Sequence, residues 1–180
     1  MNAFQNFKDQ ILANAKTAGA CNVEYKKALQ SENYLELCKV LKDNFSFAIQ
    51  IKVLTPEIFT QFTDELANEK IYHNINVVEG YLLASDSATV RAFGSATVEA
   101  SGSATVEAFD SATVRAFDSA TVRAFDSATV EAFDSATVEA SGSAYILNRS
   151  ISECKLSGNA ICRVENEIQY VSNELTFVKK

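Results

Sequence analysis

From Asp86 to Ser141 the chain repeats itself every eight residues, as DSATVRAF, GSATVEAS, GSATVEAF, DSATVRAF, DSATVRAF, DSATVEAF and DSATVEAS, with no insertion. A period of eight is too short for helical-hairpin repeats, which need about 30 residues or more. In an extended octad Ala88, Val90 and Ala92 share one face, and Thr89, Arg91 and Phe93 share the other. The Thr-Val pair favours strand, and the Asp-Ser or Gly-Ser junction supplies turn chemistry. Each octad therefore reads as one short strand and one corner of a β-solenoid.

The charged position sets the number of octads per coil. It runs Arg91, Glu99, Glu107, Arg115, Arg123, Glu131, Glu139. Equivalent residues of successive coils stand about 4.8 Å apart. Two octads per coil give the columns Arg91, Glu107, Arg123, Glu139 and Glu99, Arg115, Glu131, which alternate in sign at every step. Three octads per coil stack Arg91 on Arg115 and Glu107 on Glu131. Opposite charges side by side contribute about 0.2–1 kcal/mol and like charges cost energy, so the pattern predicts 16 residues per coil.

The same frame extends upstream through VEGYLLAS (Val78–Ser85) and downstream through GSAYILNR, SISECKLS, GNAICRVE, NEIQYVSN and ELTFVKK, with Lys155 continuing the first charge column. This predicts about six coils over residues 78–180, a rod about 30 Å long. Ile146, Leu156, Ile168 and Tyr170 are candidate inward residues of a thickened terminal coil, in the manner of capping units. The interior is thin, Ala-Val-Ala facing Ala-Val-Ala, and one methylene more on every inward Ala overpacks it. Outside, Phe93, Phe109 and Phe125 form one column, and Phe117 and Phe133 part of another. Apolar columns of this kind mark contact surfaces, or else the rings fold over the corner and shield the thin core.

Residues 1–77 carry no octads. Phe4, Phe7, Ile11 and Ala15 recur at helical spacing up to Gly19; Ser31 is a candidate N-cap for a helix bearing Tyr34, Leu35, Leu37, Cys38 and Leu41. Thr55-Pro56 starts a further helix with Ile58, Phe59, Phe62 and Leu66. Phe45, Phe47, Ile49 and Ile51 alternate as in a strand but also suit a short buried helix, and Ile71–Val77 reads as extended. The fold class expected is α+β: a helical head or cap (1–77), docked on the open end of a two-strands-per-coil β-solenoid (78–180).

Sites of chemistry are not evident. Cys21, Cys38, Cys154 and Cys162 form no CxxC, and His73 is the single histidine, so no zinc pattern arises. Cys154 and Cys162 fall on successive inward positions and read as buried thiols rather than a disulfide. His73 reads as structural. Asp86, Asp110, Asp118, Asp126 and Asp134 occupy corners; stacked carboxylates suit Ca²⁺, but Gly94, Gly102 and Gly142 interrupt them and no glycine-rich loop accompanies them, so Asx-turn hydrogen bonds are the better reading. No phosphate loop, paired catalytic acids or nucleophile elbow occurs. The expectation is a non-enzyme without cofactor or metal.

The net charge of −7 argues against direct nucleic-acid binding, which rests on cations facing phosphate. No apolar run reaches the length of a membrane span, and MNAFQNFKDQ lacks the basic start and apolar stretch of a secretory signal. A cytoplasmic protein is expected.

The SATVRAF/SATVEAF octads, KDNFSF (Lys42–Phe47), LTPEIF (Leu54–Phe59) and ECKLSGNAICRV (Glu153–Val164) resemble, along essentially the whole chain, octapeptide-repeat (SATVxA/NATVxA) proteins of bacteria, phages and mobile elements. The chain departs from that pattern at Phe47 and Ala48. The resemblance implies a helical head followed by a solenoid and brings no activity with it.

The leading expectation is a protein-interaction scaffold, with the candidate surface formed by Phe93, Phe109, Phe125, Phe117, Phe133, Arg91, Glu107, Arg123 and Glu139 and with a protein partner or a second copy as its occupant. Two alternatives belong to other classes. Residues 86–141 hold five Asp and four Glu against three Arg, which, with the phage and mobile-element association, suits an acidic decoy inhibiting a host defence nuclease. End-to-end stacking of rods gives a polymer-forming scaffold.

Overall fold

The computed structural model describes residues 2–149, 154–164, 167–170 and 176–178; the last two ranges are described as backbone only. Two compact units divide the chain, one ending at Tyr72 and the next beginning at His73.

The first unit is helical: α1 (Ala3–Thr17), α2 (Asn22–Gln30), α3 (Tyr34–Asp43), α4 (Phe45–Gln50), α5 (Pro56–Gln61) and α6 (Thr63–Asn68). The spacing in α1 buries Phe7, Ile11, Leu12 and Ala15, and Phe7 meets Phe62 edge to face at 4.9 Å between ring centres. Helix α3 is capped by Asn33, not Ser31. The Asn33 side chain accepts from the Glu36 N–H at 3.0 Å, and the Glu36 carboxylate accepts in return from the Glu32 N–H at 2.8 Å. Ser31 instead ends α2, its hydroxyl donating to the Lys27 carbonyl at 3.0 Å. The alternating Phe45–Ile51 segment resolves as helix α4, which buries Phe45 and Ala48. Thr55 and Pro56 open α5 as expected, but the helix breaks at Phe62 and resumes as α6.

Strand β1 (Ile71–His73) spans the passage from one unit to the next. The solenoid then alternates between two sheets. One holds β2 (Tyr81–Ala84), β4 (Thr97–Ala100), β6 (Thr113–Ala116), β8 (Thr129–Ala132), β10 (Tyr145–Asn148) and β12 (Ile161–Val164), paired in that order. The other holds β3 (Thr89–Ala92), β5 (Thr105–Ala108), β7 (Thr121–Ala124), β9 (Thr137–Ala140) and β11 (Cys154–Leu156). Every pair among these is parallel with a register of 16, Val90 on Val106 and Val98 on Val114, so two octads make a coil. Ala92, Val106, Ala108, Val114, Ala116 and their equivalents are fully buried.

The corners explain the Asp/Gly alternation. Asp110, Asp118, Asp126 and Asp134 have φ between 52° and 56°, the left-handed region that only Gly, Asn and Asp enter at low cost. The turn closes through the Ala120 N–H donating to the Phe117 carbonyl at 3.1 Å. At Gly94 a Cβ would lie 2.6 Å from the Val78 carbonyl oxygen, which leaves no room for the Asp found elsewhere.

Parallel winding ends at Val164. Strand β13 (Glu167–Tyr170) runs antiparallel to β12, and β14 (Thr176–Val178) antiparallel to β11. This corrects the expectation of parallel coils to the C-terminus. The register sets Ile168 beside Arg163 and Tyr170 beside Ile161; the expected inward facing of their side chains lies outside what is described for these residues. NEIQYVSN and ELTFVKK lack the Gly/Asp-Ser-Ala corner of the octads from Asp86 to Ser141. Ile146 and Leu156 do face inward and are fully buried. The remaining tail positions of the octad frame lie outside the described residues.

Candidate functional site

The outward face of one sheet carries a continuous ion ladder. Arg91 Nε stands 2.8 Å from Glu107 Oε2, Arg123 Nη1 3.7 Å from Glu107 Oε1, Arg123 Nε 3.5 Å from Glu139 Oε2, and Lys155 Nζ 3.0 Å from Glu139 Oε1. The hydrogen bond from Lys155, with Arg123 alongside, holds the Glu139 carboxyl below its ordinary value of 4.5. On the other sheet Arg115 Nε pairs with Glu131 Oε2 at 2.9 Å, and Arg149 Nη2 reaches Glu131 Oε1 at 3.5 Å. Glu99 is in register with Arg115 and is buried.

Beside the charges run the phenylalanines. Phe93, Phe109 and Phe125 stack with ring centres 4.9 and 4.8 Å apart and planes 11° from parallel; Phe117 and Phe133 stack at 4.8 Å and 6°. All five phenylalanines are half-buried, and each stack leaves the outer face of its end rings unstacked. The Arg115 guanidinium carbon lies 5.3 Å from the Phe133 ring centre, so ion pair and ring stack support each other on this face. All nine predicted surface residues thus fall into two ladders of one sheet and a ring stack of the other.

The carboxylates of Asp110, Asp118, Asp126 and Asp134 act across coils rather than within their own turn, whereas Asp86 accepts from the neighbouring Ser85 hydroxyl at 3.3 Å. Asp110 accepts from the Gly94 N–H at 3.0 Å and Asp118 from the Gly102 N–H at 3.0 Å; Asp126 and Asp134 accept from Asp110 and Asp118 N–H at 3.3 Å. This replaces the expected Asx turns. Among the described residues no group of three or more His, Cys, Asp and Glu is placed to hold a metal ion. Cys154 and Cys162 are free and fully buried; they share a hydrogen bond across the core, which together with burial pushes the Cys154 thiol up. Burial raises Cys38 to about 12. Among the described residues no helix is long and apolar enough to cross a membrane.

One feature escaped the column reading. The Phe93–Phe125 column is followed by Ser141 and Ser157, and a cleft of about 330 Å³ opens where the rings stop, against Phe125. The signal was the substitution of Ser for Phe in two successive rungs.

No protein family, curated protein or solved structure matches the chain.

Proposed function

We propose that this protein is a non-enzymatic interaction scaffold of the cytoplasm, in which the solenoid holds a fixed pattern of rings and charges for a protein partner. The observation that carries this reading is the spacing of the Phe93–Phe109–Phe125 stack beside the Arg91–Glu107–Arg123–Glu139 ladder, both repeating at the coil step. Aromatic edges flanked by paired charges suit the centre and rim of an interface, where rings supply burial and charges set register. Rigid strands hold them with little further ordering on binding, which favours affinity.

The octads further support membership of the octapeptide-repeat proteins of bacteria, phages and mobile elements. The antiparallel strands β13 and β14 speak against a polymer, because a further coil finds no parallel template at that end.

Sedimentation analysis of the full chain and of Phe109→Ser/Phe125→Ser, with pull-down from the native host, tests the reading. A partner or second copy retained by the wild type and lost by the double variant is the expected result. A monomer whose captured partners are indifferent to both changes overturns it.

A further inference from the structure

The coil step is about 4.8 Å, so the two rungs occupied by Ser141 and Ser157 leave a gap about 10 Å long in the ring column. At the other ends of the two columns, Val77 pairs with Ala92 rather than with Phe93, the rungs before Phe117 hold Ser101 and Ser85, and the rung after Phe133 holds Arg149, bound to Glu131. The cleft beyond Phe125 is therefore built from a ring face at one end and a floor of Ala140, Ser141 and Ser157. Its wall is the last part of the ion ladder, Arg123, Glu139 and Lys155.

Two properties of this cleft select a ligand. First, an uncovered phenyl face at the end of a stack takes another flat ring in offset-parallel geometry, and the vacant rung has the spacing of the rungs before it. Second, the wall sets Arg123 and Lys155 around the Glu139 carboxylate, with Arg123 shared at 3.7 Å with Glu107, which Arg91 also neutralises; the ladder of three cations and two carboxylates sums to +1 in a chain of net −7. A ring bearing an anion satisfies both at once, while a ring bearing a cation meets the wall with like charge.

We propose that the cleft binds a small planar aromatic acid, its ring stacked on Phe125 in the rung vacated by Ser141 and its carboxylate against Arg123 and Lys155. The site needs no protein partner and goes beyond the scaffold reading.

The test is a titration of the isotope-labelled full chain with sodium 2-naphthoate, followed by amide shifts. Saturable shifts centred on Phe125, Ser141 and Ser157 are expected. Cyclohexanecarboxylate, with the same charge and no ring face, and 2-naphthylmethylammonium, with the ring and the opposite charge, bind at least severalfold more weakly. Ser141→Phe fills the rung with the chain's own ring and abolishes naphthoate binding, as does Ser141→Leu; Ser141→Ala retains it, and Lys155→Gln weakens it severalfold. The remaining amide pattern reports whether each variant is folded. Absence of saturable shifts, equal binding of cyclohexanecarboxylate, or undiminished binding to folded Ser141→Phe and Ser141→Leu overturns the proposal. Since no protein partner takes part, its failure leaves the scaffold reading untouched.

Discussion

The Asp118 carboxylate accepts a hydrogen bond at 3.0 Å from the backbone N–H of Gly102, one coil earlier, while its own backbone holds φ at 55°. One side chain thus meets two demands of the corner. Asp118→Asn, which keeps both the oxygen acceptor and the tolerance of left-handed backbone, leaves stability nearly unchanged. Asp118→Gly keeps the conformation and loses the acceptor, a cost of about 0.5–1.5 kcal/mol. Asp118→Ala loses the acceptor and adds about 1–2 kcal/mol of backbone strain. Urea midpoints are expected in the order Asn, Gly, Ala.

Glu107 bridges Arg91 and Arg123 in the rungs on either side. Glu107→Arg places three guanidinium groups in adjacent rungs and is expected to destabilise the solenoid by about 1 kcal/mol, the two arginines being largely solvent-exposed and Glu107 partly so. The deficit shrinks at molar salt, where such charges are screened. Thermal melts at low and high ionic strength measure both effects. A deficit insensitive to salt would show that packing of the longer side chain, and not charge, is responsible.

His73 shares a 3.0 Å hydrogen bond with the Ser85 hydroxyl, and burial holds the imidazole below its ordinary 6.5, opposed by Asp86. A histidine with a depressed folded-state value binds more protons unfolded than folded just below that ordinary value. Its contribution to stability is therefore complete above 6.5 and lost as pH falls through the folded value. The wild type is expected to lose stability on acidification from neutrality through this window, and His73→Gln to lose less. Chemical denaturation across the pH series, compared between the two proteins, reads the difference.

The coil length was legible because charge makes it a discrete choice: Arg91 meets Glu107 at 16 residues and an arginine at 24. Lys155 was legible for the same reason, although its octad shares little else with the repeat. Helix α2 left almost no trace, since it buries Ala28 alone and presents no apolar stripe. The α3 cap is ambiguous in sequence because Ser31 and Asn33 are both good caps; only the reciprocal Glu36 contact, three residues after Asn33, distinguishes them. The reversal after Val164 depends on pairing with strands already laid down, β11 and β12. Local periodicity is blind to that.

Ser141 occupies the rung that Phe125 occupies one coil earlier, and the backbone there is the same: the Ser141 N–H donates to the Ala124 carbonyl at 2.9 Å, as the Phe125 N–H donates to the Ala108 carbonyl at 2.9 Å. A phenyl ring at this position therefore starts from the direction that aligns Phe109 with Phe125. Ser141→Phe is expected to extend the stack to a fourth ring and to fill the cleft against Ala140. A stacked aromatic pair contributes about 0.5–1.5 kcal/mol beyond the area it buries, which for a chain of this size is a rise of about 2–4 °C in Tm per kcal/mol. Ser141→Leu buries comparable apolar surface without a π face and is expected to raise Tm by less. Calorimetry of the three proteins separates stacking from burial. A fall in Tm for Ser141→Phe would mean that the ring column cannot continue past Phe125, and that the serines mark a change in corner geometry rather than a vacancy.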